Sequence, residues 1–250
     1  MRFEERLKEK FLYSKGKNFF KAIYFIIQKL KKNKHRKISY SGGAIDLIIE
    51  HYFRNKAKGI YIDVGAYHPV MGNNTFKLFN KGWSGINIDL DFHTIDILNN
   101  FRPNDENIIA AVSDKIEKKK LYFHHNRSAI NTLEKSKGGK SKEIREVTTN
   151  TLNNIIKNSK YKDSEIDFIS IDVEGHEMKV VKGFDLEKYS PKIVVIEHQD
   201  LDMKKEEFHN QNIEKIIKSN IYNHMISRNY ALVNWLHADL VFINKNLQDN

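Results

Sequence analysis

From Gly59 onward the chain alternates short apolar runs with stretches of helical spacing. The runs Gly59–Val64, Ser84–Asp89, Ile108–Val112, Ile166–Val173 and Lys192–Glu197 predict strands, the last entered through Pro191. Between them Ala44–Phe53, Thr75–Asn80, Ile95–Phe101, Thr149–Asn158 and Ile213–Ser219 predict helices, and Met178–Lys182 begins another. Lys115–Lys142 is polar and carries Gly138-Gly139, which predicts a hairpin followed by an exposed loop. Tyr230–Leu236 and Asp239–Asn244 lie close enough to form a terminal hairpin. Strands alternating with helices predict an α/β fold: a mostly parallel sheet, helix-covered on both faces, closed by an antiparallel hairpin. No internal repeat is present.

Residues 1–40 follow a different rule. Phe19, Phe20, Ile23, Ile26, Ile27 and Leu30 share a broad helix face, and Lys31, Lys32, Lys34, Arg36 and Lys37 follow. The segment holds 13 of the 42 Lys/Arg and 3 of the 32 Asp/Glu, so the whole excess of ten positive charges sits there and residues 41–250 are neutral. Two domains are therefore expected: a basic amphipathic helical segment at 1–40 and the main α/β domain at 41–250. Phe19–Leu30 is interrupted by Lys21, Gln28 and Lys29 and falls short of the roughly 20 apolar residues of a membrane span. No signal-peptide cleavage site follows it. The segment fits either peripheral contact with an anionic membrane surface or packing on the main domain or on a second subunit.

Composition narrows the chemistry. The chain has no cysteine, which excludes disulfides, thiolate catalysis, Cys-ligated zinc and iron–sulfur clusters and fits a cytoplasmic protein. A neutral main domain offers no basic face for nucleic acid, so no nucleic-acid partner is expected. With 40% apolar residues there is material for a packed core.

In open α/β sheets ligands bind outside the carboxyl ends of the strands. The residues there are Asp63, Gly65, Asp89, Asp91, Ser113, Asp114, Asp172, Glu174, Glu197 and His198. Gly65 lets the backbone turn tightly and approach a ligand. Asp89, ending the second strand, is placed to accept both hydroxyls of a ribose. A dinucleotide would need three glycines to seat its pyrophosphate on a helix N-terminus. Here Gly65 stands alone before Tyr67, His68 and Pro69. S-adenosylmethionine carries no phosphate and needs no such cradle.

Three blocks together resemble the FkbM-like methyltransferase family. The first is Ile62-Asp63-Val64-Gly65-Ala66-Tyr67-His68-Pro69, continued by Asn74-Thr75 and Gly82-Trp83-Ser84-Gly85-Ile86-Asn87-Ile88-Asp89. The second is Ala111-Val112-Ser113-Asp114 with Asn131-Thr132. The third runs from Ile166 through Asp172-Val173-Glu174-Gly175-His176-Glu177, completed by Pro191 and Val195-Ile196-Glu197. The resemblance implies a Rossmann-like methyltransferase fold with a seven-stranded sheet, preceded by N-terminal helices. It also implies S-adenosylmethionine as donor: Asp63, Gly65 and Ala66 at its methionine end, Asn74 and Thr75 holding the adjoining loop, Asp89 on the ribose, Ser113 and Asp114 near the adenine. Asp172 and Glu174 would face the transferred methyl and the acceptor. Members often carry Glu-Pro or Asp-Ala-Asn-Pro after the second strand, whereas this chain has Asp89-Leu90-Asp91-Phe92.

Transfer to a hydroxyl needs a base or a Lewis-acid metal. His176 or His198 could supply the base. Asp172, Glu174 and Glu197 could instead hold Mg²⁺ through oxygen. Glu174 and Glu177 equally fit the cap of the following helix. The resemblance favours a sugar hydroxyl of a glycan or its precursor as acceptor. A lipid or another small hydroxyl or amine compound is the alternative within enzymes, and a non-catalytic membrane-surface scaffold of the same fold is the alternative outside them. Homo-oligomerisation stays open.

Overall fold

The structure is a computed structural model that describes residues 19, 21–23, 26, 37–198, 212–236 and 238–247. The chain divides into two compact units, Met1–Ile38 and Ser39–Asn250. In the first, the described residues 19, 21–23 and 26 are helical, and Phe19, Ile23 and Ile26 are exposed. The rest of the amphipathic pattern predicted there lies outside the described residues. Among the described residues no helix is long and apolar enough to cross a membrane.

The second unit runs α1 (Ile45–Tyr52), β1 (Ile60–Val64), α2 (Phe76–Asn80), β2 (Ser84–Asp89), α3 (Phe92–Phe101), β3 (Glu106–Ile109), β4 (Ala111–Val112), β5 (Lys118–Phe123), β6 (Glu143–Asn150), α4 (Leu152–Lys157), β7 (Phe168–Ile171), α5 (Glu177–Lys182), α6 (Leu186–Tyr189), β8 (Ile193–Glu197), α7 (Ile213–Lys218), α8 (Asn220–Ser227), β9 (Tyr230–Leu236) and β10 (Asp239–Asn244). Seven strands form one sheet in the order β3-β2-β1-β7-β8-β10-β9. The first five are parallel; β10 pairs antiparallel with β8 and with β9. The expected α/β architecture, with its mostly parallel seven-stranded sheet and antiparallel C-terminal hairpin, is the one observed.

Strand alternation sends side chains to two cores, one on each face. Tyr61, Phe168, Ile193 and Val195 join Ile45, Ile49, Phe53 and Trp83 on one face. Their neighbours Ile62, Ile169, Val194 and Ile196 join Leu152, Ile156, Val180, Val181 and Met225 on the other. Both faces of these strands are buried, which is why they read as continuous apolar runs.

Four elements differ from the sequence expectation. The hairpin expected within Lys115–Lys142 is instead β5 paired antiparallel with β6, a strand the sequence did not predict, across the 124–142 segment. The run Ile108–Val112 breaks at Ala110, whose N–H donates to the Asp89 carbonyl (2.9 Å); β3 stays in the main sheet, while β4 pairs parallel with β6. The helix expected over Thr149–Asn158 starts at Leu152, because Thr149 and Asn150 finish β6 and Thr151 Oγ1 caps the helix by accepting from Asn154 N–H (3.2 Å). The helix expected to end at Ser219 is followed at once by α8, for which Ser219 is the cap, accepting from Tyr222 N–H (3.1 Å).

Candidate active site

The chain winds from β1 through β2 to β3 at one edge, then returns to lay β7 on the other side of β1. The carboxyl ends of β1 and β7 are therefore a topological switch point, where such sheets bind ligands. Gly65 makes the seam possible. Its φ is +85°, and a Cβ there would lie 1.7 Å from the Asp172 carbonyl oxygen. Gly65 and Ala66 N–H both donate to the Ile88 carbonyl (2.8 and 3.1 Å), turning the chain across the top of β2. The resulting cleft is lined on the strand side by Gly65, Asp89, Leu90, Val112, Asp172 and Glu174.

Asp89 accepts Tyr67 N–H through Oδ2 (3.0 Å) and Asp91 N–H through Oδ1 (2.8 Å). Each oxygen keeps a lone pair for a further donor. Burial pushes its carboxyl pKa up to about 6, against the two backbone N–H groups that favour the ionised form. Leu90, Ala111 and Val112 give an apolar patch beside it.

Asp172, which lines the cleft, hydrogen-bonds Glu197. Desolvation by the surrounding protein, with the charges of Glu197 and Glu174, raises the Asp172 carboxyl well above the usual carboxylate range although its side chain opens to the cleft. One oxygen from each of Asp172, Glu177 and Glu197 lies within 4.8 Å of the others. Glu177 Oε1 already accepts from Val173 N–H (3.1 Å) and Gly175 N–H (2.8 Å), closing the turn in which Glu174 takes φ +58° and Gly175 φ +97°. The oxygen-only donor set suits a hard divalent cation, and its members are Asp172, Glu177 and Glu197, with Glu177 in the place expected of Glu174.

His176 is buried with both ring nitrogens engaged: Nε2 with Ser113 Oγ (2.9 Å) and Nδ1 with Glu134 Oε1 (2.5 Å). Burial holds its pKa below the usual value, with Glu134 pulling the other way. Neither nitrogen is free to meet an acceptor, so the ring works here as a tie between β4, the loop after β7 and the 124–142 excursion. Thr132 Oγ1 makes a second tie, donating to the Glu174 carbonyl (2.8 Å).

Of the residues singled out in the sequence, Gly65, Asp89, Asp172, Glu174 and His176 line the cleft. Asp63, Asn74 and Thr75 stand behind it. Asp63 accepts from Asn73 Nδ2 (3.0 Å) and Thr75 Oγ1 (2.9 Å), and burial raises its pKa although Arg102 opposes the rise. Asn74 Nδ2 donates to Ser170 Oγ (3.1 Å), and Ala66 packs on Ile95 and Leu98. Ser113 is buried against His176; Asp114 binds Lys179 Nζ (3.3 Å), and its carboxyl sits below the usual range despite some desolvation, held there by Ser113 and Lys179. His198 is buried beyond β8, its N–H donating to the Ala238 carbonyl (2.7 Å). Sequence reasoning missed Leu90, Glu134, Glu177 as a partner of Asp172 and Glu197, and Arg102. Arg102 is wholly buried behind the first loop: Nη1 donates to Thr75 Oγ1 (2.7 Å), Nη2 to the Pro69 carbonyl (2.5 Å) and Asn73 Oδ1 (2.9 Å). Buried acids at 63 and 105 are the one signal that calls for such a cation.

Two solved structures are similar to the chain at a distance. A candidate RNA methyltransferase from Pyrococcus horikoshii shares 12% identity, with 90% of this chain and 97% of that one covered and a TM-score of 0.40. An O-methyltransferase from Bacillus cereus, solved in complex with SAH, shares 11% identity, with 95% and 94% covered and a TM-score of 0.37. No curated protein matches at a significant level. The family described as "Methyltransferase FkbM domain" matches residues 63–223, which run from the first cleft strand through the Asp172 loop and cover more than half of the chain. The chain therefore belongs to the FkbM methyltransferase domain family.

Proposed function

We propose that the protein uses S-adenosylmethionine to methylate a hydroxyl group, with a sugar of a glycan or glycan precursor as the acceptor. The observation that carries the donor reading is the seam at Gly65, where no side chain fits, beside an acid that offers one free lone pair on each oxygen. When bound, the donor supplies an electrophilic methyl on a sulfonium sulfur. Asp89 would accept the ribose hydroxyls, Leu90 and Val112 would flank the adenine, and the Gly65 turn would let the backbone come close to the amino-acid end. The sugar acceptor rests on the family resemblance.

The Asp172–Glu197 pair supports a hydroxyl acceptor. A carboxylate whose pKa is raised binds a proton more tightly than a solvated one, so the ionised member of the pair is the stronger base for an acceptor O–H. A second reading has Mg²⁺ held by Asp172, Glu177 and Glu197, favoured by their converging oxygens. Activity that survives a chelator supports the proton reading; activity lost and restored by Mg²⁺ supports the metal.

Calorimetry with S-adenosylhomocysteine tests the donor. Wild type should bind, and Asp89→Ala should lose about 1.5–3 kcal/mol, the worth of hydrogen bonds to a charged acceptor. Equal affinity in a folded Asp89→Ala variant rejects the ribose assignment. Methyl transfer from labelled donor into a fractionated glycan extract, with mass spectrometry of the product, tests the acceptor.

A further inference from the structure

We propose that Arg127 anchors an oxyanion, a carboxylate or phosphate, carried by the acceptor, so that the substrate is an acidic molecule. The proposal rests on reading the cleft as the donor site. Arg127 sits in the 124–142 excursion between Asn126, which bonds His93 (3.1 Å), and Ser128 and Ala129, which line the cleft. Its backbone takes φ +55°, and its N–H donates to Asp91 Oδ2 (3.1 Å). Asp91 spends its other oxygen on Thr94 N–H (3.0 Å), capping α3. The left-handed turn is thus pinned to the strand-end loop that carries Asp89.

The guanidinium is left over. Among the described residues it has no ion-pair partner and no side-chain hydrogen bond, and its Nε is buried without an acceptor. Arg102 Nε is buried without an acceptor as well, but the guanidinium of every other arginine of the Ser39–Asn250 unit is committed: Arg54 to His51, Arg102 through Nη1 and Nη2 to the Asn73 and Thr75 loop, Arg145 to Glu143 and the Phe123 ring, Arg228 to Glu187. The Nη groups carry donors that nothing among the described residues accepts, and the planar guanidinium fork matches carboxylate and phosphate. His68 lies within electrostatic reach. Its Nδ1 accepts from Val70 N–H (3.1 Å) and Met71 N–H (2.9 Å), so Nε2 is the nitrogen that carries the proton. Burial, then the charges of Arg127 and Arg102, keep the ring below its usual pKa and neutral. With Asp172 lining the cleft and Arg127 next in the chain to the lining residues Ser128 and Ala129, an acidic acceptor would set its anion toward Arg127 and its hydroxyl toward Asp172.

The shared chemistry could also serve the donor's own carboxylate, and the test separates the two. The full chain, labelled at arginine, is titrated with inorganic phosphate with and without S-adenosylhomocysteine while the Nε–H resonances are followed by NMR. The signal missing from Arg127→Gln should shift saturably in wild type. Arg127→Gln should weaken phosphate by about tenfold or more, and Arg127→Lys by less, because it keeps the charge and loses the fork. A signal that does not move, or a phosphate affinity unchanged in Arg127→Gln, overturns the proposal. Should Arg127→Gln fail to fold, Arg127→Lys supplies the assignment and the wild-type shift decides. Calorimetry then compares S-adenosylhomocysteine with its decarboxylated analogue in wild type and variant. Equal behaviour of the two compounds leaves the anion with the acceptor; a loss confined to the carboxylate-bearing compound gives Arg127 to the donor and overturns the proposal. If neither compound binds wild type, the donor reading fails, while the phosphate titration still decides on Arg127.

Discussion

At the scale of single residues the cleft is set by where side chains are absent and where charges are crowded. Gly65→Ala would push a methyl group into the Asp172 carbonyl at a φ of +85°. About 3 kcal/mol or more of stability should be lost, seen as a lower urea midpoint, because neither backbone segment can retreat from the seam. Asp89 gives two pH trends of opposite sign. Its carboxyl titrates near pH 6. Ribose hydroxyls need the ionised form, so affinity for S-adenosylhomocysteine should fall up to about tenfold per pH unit below that value. Its contribution to stability runs the other way: the folded state keeps a proton that the unfolded chain has released, so this contribution is greatest below about pH 4 and is lost as the pH rises to about 6. Asp89→Asn should abolish both trends, and a donor affinity in wild type that is flat from about pH 5 to 7.5 would contradict the assignment. Gly65, Asp89 and Asp172 were legible because strand ends can be found from apolar runs. Glu134 and Arg102 were not. Each acts through a partner 27 to 42 residues away, Thr75 for Arg102 and His176 for Glu134, and no local pattern records such a pairing.

At the scale of elements, legibility followed burial. The core strands β1, β7 and β8 and the hairpin β9–β10 stand where their apolar runs placed them. β6 was hidden because Glu143–Asn150 is exposed along most of its length, with no apolar face to betray a period of two. It nevertheless carries the excursion that holds Arg127, Thr132 and Glu134. The first cleft loop depends instead on α3, whose C-terminal Arg102 reaches back to Pro69, Asn73 and Thr75 while its charge offsets Asp63 and its guanidinium lies over the Phe79 ring at 5.2 Å. Arg102→Leu would keep the bulk and remove the countercharge, leaving buried acids uncompensated. A loss of about 3–5 kcal/mol is expected in urea denaturation. A loss below about 1 kcal/mol would mean that packing, and not the buried cation, orders the loop.

At the scale of the whole molecule, a deletion that tests the basic N-terminal unit has to be cut where the two units divide. The charge pattern places a boundary after residue 40, but the compact units meet between Ile38 and Ser39. Ser39 and Tyr40 belong to the methyltransferase unit in a physical sense. Ser39 Oγ and Tyr40 N–H both donate to the buried Asp46 (2.5 and 2.7 Å), Tyr40 accepts Asn73 N–H (3.1 Å), and its ring stands edge-on to Phe76 at 4.7 Å. Asp46 opens α1, and Asn73 holds Asp63 and Arg102, so these two residues brace one side of the cleft loop. Removal of residues 1–38 should therefore leave a folded protein that binds S-adenosylhomocysteine. Removal of 1–40 should melt several degrees lower, because Asp46 loses two donors, each worth about 1 kcal/mol. If the excess charge serves an anionic membrane surface, the full chain should pellet with anionic vesicles at low salt, release as salt rises, and lose the property in the 1–38 deletion. A full chain that ignores such vesicles rejects membrane docking. An insoluble or donor-blind 39–250 protein would instead mean that the amphipathic segment covers apolar surface of this chain or of a second copy.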